Sequence, residues 1–407
     1  MKKYWLLLDS YVFLWKDSKK ILIYNCLSQK GFTLDRNAII DPVIEEINDK
    51  KNLRVASIDT DFLSSKEGNQ LVSLLRENFC GDLFDQAYFP HKPVVVLPEL
   101  NNNEEIGRSA STISNIEGFG SQVARNLLEV TLQLTGKCDK ACRYCKDIGK
   151  QIRWCRANTY FFPEEKLVSF LQKIKSLHLY TLNLIGGDLS TYPYWKSIIE
   201  LLEDAAFHKC VYFNIRQIEK NRSLLEKLQD NHFNIFILAE ASSSLLIKKW
   251  EQEYHYVFFV TSLHEYEKIQ TRIESEGVNA KVLPFFTGDN YSFFKEYIFQ
   301  SEEDILTTPW KQKEIFAHQV INTNDFGNLY IEANGEVFAN LHYPSLGTIE
   351  TGLEQLVHKE MKNGTSWRQT RDQEPVCQEC LYRYLCPSPS NYEKVIGRPD
   401  LCLIEKK

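Results

Sequence analysis

Long apolar runs are missing from this chain: no stretch approaches 18 uninterrupted apolar residues, so we expect no membrane-spanning helix. In the first residues, MKKYWLLLDS, two lysines are followed by only five apolar residues before Asp9 interrupts them. A secretory signal needs a longer apolar region and a small-residue cleavage site, so none is predicted. We therefore expect a cytoplasmic, reducing setting, in which cysteines are thiols or metal ligands.

An excess of positive charge is missing too. Lys and Arg total 48 against 54 Asp and Glu, which gives a formal net charge of −6. Binding to a nucleic-acid backbone needs clustered positive charge, so no nucleic-acid partner is predicted. Methionine is scarce, with two residues, whereas there are 24 Phe, 20 Tyr and 7 Trp. With 43% hydrophobic and 25% charged residues, the 407-residue chain is expected to fold into two or three domains.

Eleven cysteines stand out against these absences. An odd number cannot pair completely within one chain, and the cysteines are clumped, which favours metal chemistry over a disulfide framework. Cys26, Cys80 and Cys210 lie in apolar surroundings and are predicted to be small core residues.

Residues 1–90 are predicted to form a separate module. Tyr4–Leu8, Tyr11–Trp15 and Lys20–Asn25 have the composition of short strands, the last two joined by a polar turn. Helical spacing follows, with Ile39, Val43 and Ile47 on one face. A hairpin followed by helices is a winged-helix-like plan. Residues 91–125 are predicted to be a linker, because they are polar and lack sustained periodicity.

Residues 126–310 alternate between apolar, strand-like runs and amphipathic helices. The six runs begin near Glu129, Thr181, Cys210, Phe233, Tyr256 and Ala280. This rhythm is typical of β-α units in a parallel sheet. It fits a partial (β/α)6 TIM-like barrel or an open, doubly wound sheet, both of which place their chemistry at the carboxyl ends of the strands.

Residues 311–407 break that rhythm and end in a cysteine-rich tail. Asn334-Gly335, between the strand-like runs Asn328–Glu332 and Glu336–Asn340, predicts a hairpin.

Three cysteines directly follow the first strand of the alternating region. Cys138, Cys142 and Cys145 have the spacing C-x3-C-x2-C, which lets three thiols converge on one soft metal centre. Three ligands suit a four-iron cluster that leaves one iron open. A structural zinc site wants four ligands, and Cys155 can supply the fourth, so zinc stays an alternative.

This motif, with Tyr144 before its last cysteine, resembles the cluster motif of the radical S-adenosylmethionine (SAM) superfamily. The resemblance implies a [4Fe–4S] cluster whose open iron binds SAM and whose electron cleaves SAM to a 5′-deoxyadenosyl radical. It also implies SAM contacts for Gly186-Gly187-Asp188, although the family usually has Gly-Gly-Glu. Polar residues at the next strand ends, namely Asn214, Arg216 and Glu240, are implied ligand-facing positions.

A second set of four cysteines lies in the tail. Cys377, Cys380, Cys386 and Cys402, spaced C-x2-C-x5-C-x15-C, complete a coordination set by themselves, and from spacing alone a zinc ribbon is an alternative. With the preceding hairpin, the tail resembles a SPASM or twitch domain, which implies auxiliary iron–sulfur clusters. That family usually has a cysteine after the second hairpin strand, where this chain has Asn340-Leu341-His342. We therefore predict one auxiliary [4Fe–4S] cluster, with His342 as a less favoured substitute ligand.

The three modules together resemble radical SAM maturases of ribosomally made peptides. The resemblance implies a precursor peptide whose leader binds the N-terminal module by adding a strand to its sheet. It implies an electron donor such as ferredoxin or flavodoxin. The expected product is a thioether, carbon–carbon or ether crosslink, or an epimerised residue. Two alternatives stay open: a non-catalytic scaffold that presents leader peptide to another enzyme, and a zinc-stabilised protein without radical chemistry.

Overall fold

The computed structural model describes residues 2–95, 123–138, 150–154, 157–241 and 254–404. No helix within these ranges is long and apolar enough to cross a membrane. Most of the predicted linker falls outside them, so its description and the predicted domain boundaries stay predictions.

The N-terminal module is built from two three-stranded antiparallel sheets and three helices. One sheet has the order β5-β1-β6 and the other the order β2-β3-β4. Along the chain the elements are β1 (Lys3–Leu8), β2 (Val12–Lys16), β3 (Lys20–Asn25), β4 (Lys30–Asp35), α1 (Ile40–Asn48), β5 (Val55–Asp59), α2 (Thr60–Ser64), α3 (Lys66–Glu77) and β6 (Gly81–Asp85). The predicted β2–β3 hairpin is confirmed, with Phe13 opposite Tyr24. The module therefore contains the predicted hairpin and helices and, in addition, a second sheet. Its likeness to a winged-helix domain stays a prediction.

Both faces of the β2-β3-β4 sheet are apolar, and both are covered. Val12 and Leu14 point into the module's own core with α1 and α3. Phe13 and Tyr24, on the opposite face, pack against the C-terminal tail. Because side chains alternate between the faces of a strand, a strand that is apolar at every position must be covered on both sides.

Six parallel strands form the central sheet in unbroken chain order. They are β7 (Glu129–Thr135), β8 (Thr181–Gly186), β9 (His208–Asn214), β10 (Asn234–Glu240), β11 (His255–Val260) and β12 (Ala280–Pro284). All six predicted strand starts are confirmed to within two residues. The helices that follow them are α4 (Glu164–Lys175), α5 (Trp195–Leu202), α6 (Arg222–Asp230) and α7 (Leu263–Glu276).

The helices α4 to α7 share one core with the outward side chains of the strands. Leu171 of α4, Ile198 of α5 and Leu228 of α6 belong to this core together with Leu184 and Phe213 of the sheet. A doubly wound sheet reverses its strand order and carries helices on both faces. Over the described residues the order of the six strands is unbroken, which the open, doubly wound alternative does not predict, and a partial (β/α)6 barrel stays the prediction.

The C-terminal part extends the same sheet. After α8 (Tyr291–Tyr297), α9 (Glu302–Thr307) and α10 (Gln312–Val320), strand β13 (Asn328–Ile331) pairs in parallel with β7. It turns at Gly335, whose φ of +91° favours glycine, into β14 (Glu336–Phe338), so the predicted hairpin is confirmed. Strand β15 (Gly347–Thr348), α11 (Leu353–Asn363) and α12 (Asn391–Ile396) complete the chain.

Candidate functional site

The carboxyl end of β7 leads directly into the first cysteine motif. Thr135 ends the strand, and Cys138, three residues later, is partly exposed. The predicted ligands Cys142 and Cys145, the aromatic Tyr144 and the alternative ligand Cys155 lie outside the described residues.

The loop that carries this motif is fixed at its base. The backbone N–H of Gly136 donates to the carbonyl of Tyr160 at 3.0 Å, and that of Asn158 donates back to Gly136, also at 3.0 Å. A side chain at position 136 would collide with Asn158, because its Cβ would lie 1.8 Å from Asn158 Oδ1. The chain leaving β7 is thus paired with the chain returning toward α4.

The paired glycines at the end of β8 lie against the start of this loop. The N–H of Gly187 donates to the Thr135 carbonyl at 2.8 Å, and the N–H of Asp188 donates to the Lys137 carbonyl at 2.6 Å. A Cβ at Gly187 would lie 2.4 Å from the Lys137 carbonyl oxygen and 2.8 Å from Cys138 Cβ. Only glycine therefore allows this approach, and the turn and the first cysteine form one site.

Asp188 has a local role in addition to the predicted one. Its Oδ1 accepts hydrogen bonds from the Ser190 backbone N–H at 3.1 Å and from Ser190 Oγ at 2.6 Å. It thereby caps a short 3-10 helix, Leu189–Thr191. The carboxylate implied to contact SAM thus also shapes the segment after the turn.

The other predicted SAM contacts lie at neighbouring strand ends. Asn214 ends β9, and its Oδ1 accepts from the Arg216 N–H at 3.0 Å. Arg216, which is half exposed, lies 3.8 Å from Glu240 at the end of β10. The structure therefore brings Gly187, Asn214, Arg216 and Glu240 to the same edge of the sheet, in the order of β8, β9 and β10.

Gln217 is a site residue that sequence reasoning missed. Its buried side chain donates from Nε2 to the Gly187 carbonyl at 2.9 Å, and its Oε1 accepts from the Asn214 N–H at 3.3 Å. One amide thus connects the glycine turn after β8 to the end of β9. The local sequence marks Gln217 only as the last residue of a capping box that begins at Asn214. Its bond to Gly187 has no local signal, because that partner lies 30 residues away.

The four tail cysteines line one cavity. Cys377, Cys380, Cys386 and Cys402 surround a space of about 240 Å³, together with Arg371 and other residues. This volume has room for a group of several atoms. The structure therefore places all four residues that the spacing selected on one cavity. Among the described residues no group of three Cys, His, Asp or Glu side chains is arranged to hold a single metal ion, so the role of the four cysteines as ligands stays a prediction.

Burial dominates the electrostatics of this cavity. Burial raises the pKa of the Cys386 thiol, and Cys380, Cys402 and Cys377 add to the shift, whereas Arg371 opposes it. Burial alone would lower the pKa of Arg371, but its buried pair with Glu393, at 2.5 Å, and the nearby thiols raise it. The Arg371 guanidinium favours the thiolate form, which is the form that binds metals, but burial and the neighbouring thiols outweigh it, so the pKa of Cys386 stays above that of an exposed thiol.

The position of the missing hairpin cysteine is occupied by a buried amide. Asn340 donates from Nδ2 to Asp325 Oδ2 at 2.9 Å and to Asn391 Oδ1 at 2.7 Å. His342, the less favoured substitute ligand, does not line the four-thiol cavity, and burial lowers its pKa.

The three cysteines predicted to be core residues are buried. Burial raises the pKa of Cys80 and of Cys210 to about 12, and it raises that of Cys26 as well. As weakly acidic, buried side chains they fit the predicted core role, and Cys26 belongs to the core against which Cys380 and Cys386 pack.

Similarity to known proteins is confined to solved structures. No family model matches the sequence, and no curated protein matches it. SuiB from Streptococcus suis, in crystal structures bound to the precursor peptide SuiA and to S-adenosylmethionine, is 10% and 11% identical to this chain. Each of the two comparisons covers 98% of this chain. The SuiA-bound structure is covered to 99% with a TM-score of 0.44, and the S-adenosylmethionine-bound structure to 100% with a TM-score of 0.43.

A structure of anSMEcpe with bound AdoMet is 14% identical, over 64% of this chain and 84% of that one, with a TM-score of 0.46. Such identities and TM-scores mark a distant similarity, which by itself says nothing of the reaction of this chain.

Proposed function

We propose that this chain is a radical SAM enzyme that modifies a ribosomally made precursor peptide. One observation carries the proposal: the Gly186-Gly187 turn at the end of β8 is hydrogen-bonded to the loop that begins the C-x3-C-x2-C motif, with Gly187 against Cys138. This contact joins the three-thiol motif and the glycine turn, which are far apart in the sequence, in one site at the carboxyl edge of a parallel sheet.

The residues fit a [4Fe–4S] cluster with bound SAM. The donor set is three cysteines, which leaves one of four irons open, and the glycine turn lies directly against Cys138, where its backbone groups are close to the proposed cluster. Cys138, Cys142 and Cys145 would hold the cluster, and Gly187, Asp188, Asn214 and Arg216 are the proposed SAM contacts. When bound, the cluster supplies an electron that cleaves SAM to a 5′-deoxyadenosyl radical, which removes a hydrogen atom from the substrate.

The chain itself binds and orients these groups. Gln217 holds the Gly187 carbonyl and the Asn214 N–H, so the two strand ends are fixed relative to each other. The buried amides of Gln133 and Asn183 face the same interior, where Asn183 donates to Glu129 at 2.6 Å. Satisfied, buried polar groups of this kind fix positions without admitting bulk water.

The four-thiol cavity is proposed to hold one auxiliary [4Fe–4S] cluster. The supporting observations are the common cavity, its volume and the Arg371 guanidinium beside it. Cys377, Cys380, Cys386 and Cys402 would hold this cluster, which would supply a site for the electron released when the product is formed, or would order the substrate. The proposed product contains a thioether, carbon–carbon or ether crosslink, or an epimerised residue.

The remaining parts of the proposal concern partners and setting. The leader of the precursor peptide is proposed to bind the N-terminal module, whose two small sheets offer strand edges for main-chain pairing. Ferredoxin or flavodoxin is the proposed class of electron donor, and the cytoplasm the proposed compartment.

Anaerobic reconstitution tests this function. We expect about eight irons and eight sulfides per chain, since a cubane holds four of each, and 5′-deoxyadenosine after reduction in the presence of SAM. Gly187→Ala should keep the iron of the auxiliary site and lose SAM cleavage, whereas Cys210→Ala, a buried cysteine outside both sets, should keep both. Zinc without sulfide contradicts the cluster assignment. Eight irons without SAM cleavage would favour the scaffold alternative.

A further inference from the structure

The segment between Cys380 and Cys386 has two sides with different partners. Its turns are closed by hydrogen bonds from the N–H groups of Leu385 and Cys386 to the Tyr382 carbonyl, at 2.9 and 3.0 Å. Cys380, Arg383 and Cys386 line the four-thiol cavity. Leu381, Tyr382 and Leu385 are buried in a core shared with the N-terminal module.

The module meets this segment with the outer face of its β2-β3-β4 sheet. Phe13, Leu22 and Tyr24 are buried in the shared core, and the ring centroid of Trp15 lies 5.9 Å from that of Tyr384. The Tyr24 hydroxyl accepts a hydrogen bond from the Trp310 N–H at 2.9 Å and lies 3.2 Å from the Thr308 carbonyl oxygen, its acceptor.

Glu302 of α9 is a polar link across the same contact. Its Oε1 accepts from the Tyr382 hydroxyl at 2.6 Å and from Thr33 Oγ1 at 3.5 Å, while its Oε2 lies 3.8 Å from Lys20 Nζ. Tyr382 belongs to the cysteine segment, whereas Thr33 and Lys20 belong to the module. The hydrogen bonds of one carboxylate therefore connect the two.

We propose that the auxiliary metal centre anchors the N-terminal module. A metal that is bound by several thiols orders the chain between them. Its binding free energy therefore also stabilises the folded form of that segment. The ordered side chains of residues 381–385 are the surface on which the β2-β3-β4 sheet docks. Loading of the four-thiol cavity and docking of the module are therefore thermodynamically linked. This inference rests on the proposed function for the identity of the metal centre and for peptide recognition by the module.

Hydrogen exchange of the full chain tests the linkage without any enzymatic assay. The anaerobically reconstituted chain is compared with the same chain after removal of iron by a chelator. We expect backbone amides of β2 and β3 to exchange at least tenfold faster in the stripped chain, while β8 and β9 change little. The proposal is overturned if residues 377–386 exchange faster but β2 and β3 do not.

Two variants sharpen the comparison. Tyr382→Phe removes the hydrogen bond to Glu302 and keeps the ring, so exchange of β2 and β3 should quicken in the loaded chain. Tyr192→Phe is the matched control, because it removes a buried hydroxyl that donates to the Phe162 carbonyl at 2.9 Å beside the central sheet. Equal effects of the two variants on β2 and β3 would also contradict the proposal.

A third variant separates this inference from the proposed function. Replacing Cys138, Cys142 and Cys145 by Ala should abolish SAM cleavage and leave the exchange difference at β2 and β3 intact. If the chain binds zinc without sulfide, the radical function fails, and zinc-loaded and stripped chains provide the same comparison. Loss of the difference in the triple variant would place the anchor at the first cysteine set and overturn the proposal.

Discussion

At the scale of single residues, the site depends on a glycine that allows close backbone contact and on the side-chain amide of Gln217, which is hydrogen-bonded to that glycine. Gly187 can lie against Cys138 only because it lacks a Cβ. Gln217 then fixes the carbonyl of that glycine from the neighbouring strand end. The shape of the turn therefore depends on the missing Cβ of Gly187, which belongs to the sequence motif, and on the hydrogen bond from Gln217, which does not.

Gln217→Met should weaken SAM binding about tenfold, because it removes the two buried hydrogen bonds that fix the glycine turn, each worth about 0.5–1.5 kcal/mol, while keeping the size of the side chain. The effect should appear in the dissociation constant and KM for SAM, with kcat at saturating SAM nearly unchanged. Calorimetric titration of the reconstituted chain measures it. The matched control is Gln86→Met, which removes a hydrogen bond to Ser57 in the N-terminal module. An unchanged affinity in Gln217→Met would show that the glycine turn holds its shape without Gln217.

The sequence predicts some of these residues and not others for a physical reason. Ligand cysteines on one loop must be close in the chain, so Cys138, Cys142 and Cys145 form a recognisable spacing. Cys402 follows Cys386 by sixteen positions, yet it is still identifiable because thiols are rare. Gln217 can be found from the sequence as part of a capping box with Asn214, but its bond to Gly187 cannot, since that bond depends on β8 and β9 being neighbours.

At the scale of elements, the central strands and helices follow from hydrophobic periodicity. The strands β7 to β12 are apolar runs separated by amphipathic helices, and their starts are predicted to within two residues. Strands β5 and β6 are not predicted. The segments VASID and GDLFD contain Ser, Gly and Asp, which disfavour strands, and both form by pairing with β1. Strand formation there depends on tertiary context more than on composition.

Helix α10 carries a buried histidine that makes this part of the fold sensitive to acid. The His318 Nδ1–H donates to the Tyr384 carbonyl at 2.9 Å, and the ring packs edge-on against Trp310. Burial lowers the pKa of His318 below 6.5, although the hydrogen bond and Glu314 oppose the shift. Below pH 6.5 the unfolded chain therefore binds a proton that the folded chain does not, so stability falls as the pH falls toward the lowered pKa.

His318→Asn should remove part of this pH dependence, because Asn keeps a donor for the carbonyl and does not titrate. Urea unfolding between pH 7.5 and about 5 should show a shallower loss of stability for the variant than for the unchanged chain. His232→Asn is the control, because His232 is exposed and its positive φ is tolerated by Asn. If His318→Asn and the unchanged chain lost stability in parallel, the acid sensitivity would lie in other groups.

At the scale of the whole molecule, contacts between distant segments assemble the modules, and these are the least accessible to sequence reasoning. Phe13 and Trp15 alternate with Val12 and Leu14, so the sequence indicates a strand that is covered on both faces. It does not indicate what covers the second face. That partner, residues 381–385, is more than 350 positions away, and only the cysteines that flank it mark it in the sequence.

A buried polar network centred on Asp325 connects the central sheet to the tail. Arg153, after the first cysteine loop, donates to Asp325 Oδ1 and, at 2.9 Å, to the Asn324 carbonyl. Asp325 Oδ2 accepts from Asn340 at 2.9 Å and from Ser366 Oγ at 2.6 Å. The carboxylate of Asp325 is thus hydrogen-bonded to Arg153 after the first cysteine loop, to Asn340 after the hairpin and to Ser366 after α11.

Asp325→Asn should destabilise the folded chain by about 3 kcal/mol or more, because it leaves the Arg153 guanidinium without its buried counter-charge. Asp204→Asn is the matched control: its pair with Lys175 is largely exposed, and surface pairs contribute about 0–1 kcal/mol. Equilibrium urea unfolding of both variants measures the difference. In a double-mutant cycle, Arg153→Met combined with Asp325→Asn should cost less than the sum of the two single changes, because each already breaks the same pair. Additive effects would mean that the hydrogen bonds to Asn340 and Ser366, and not the ion pair, connect the sheet to the tail.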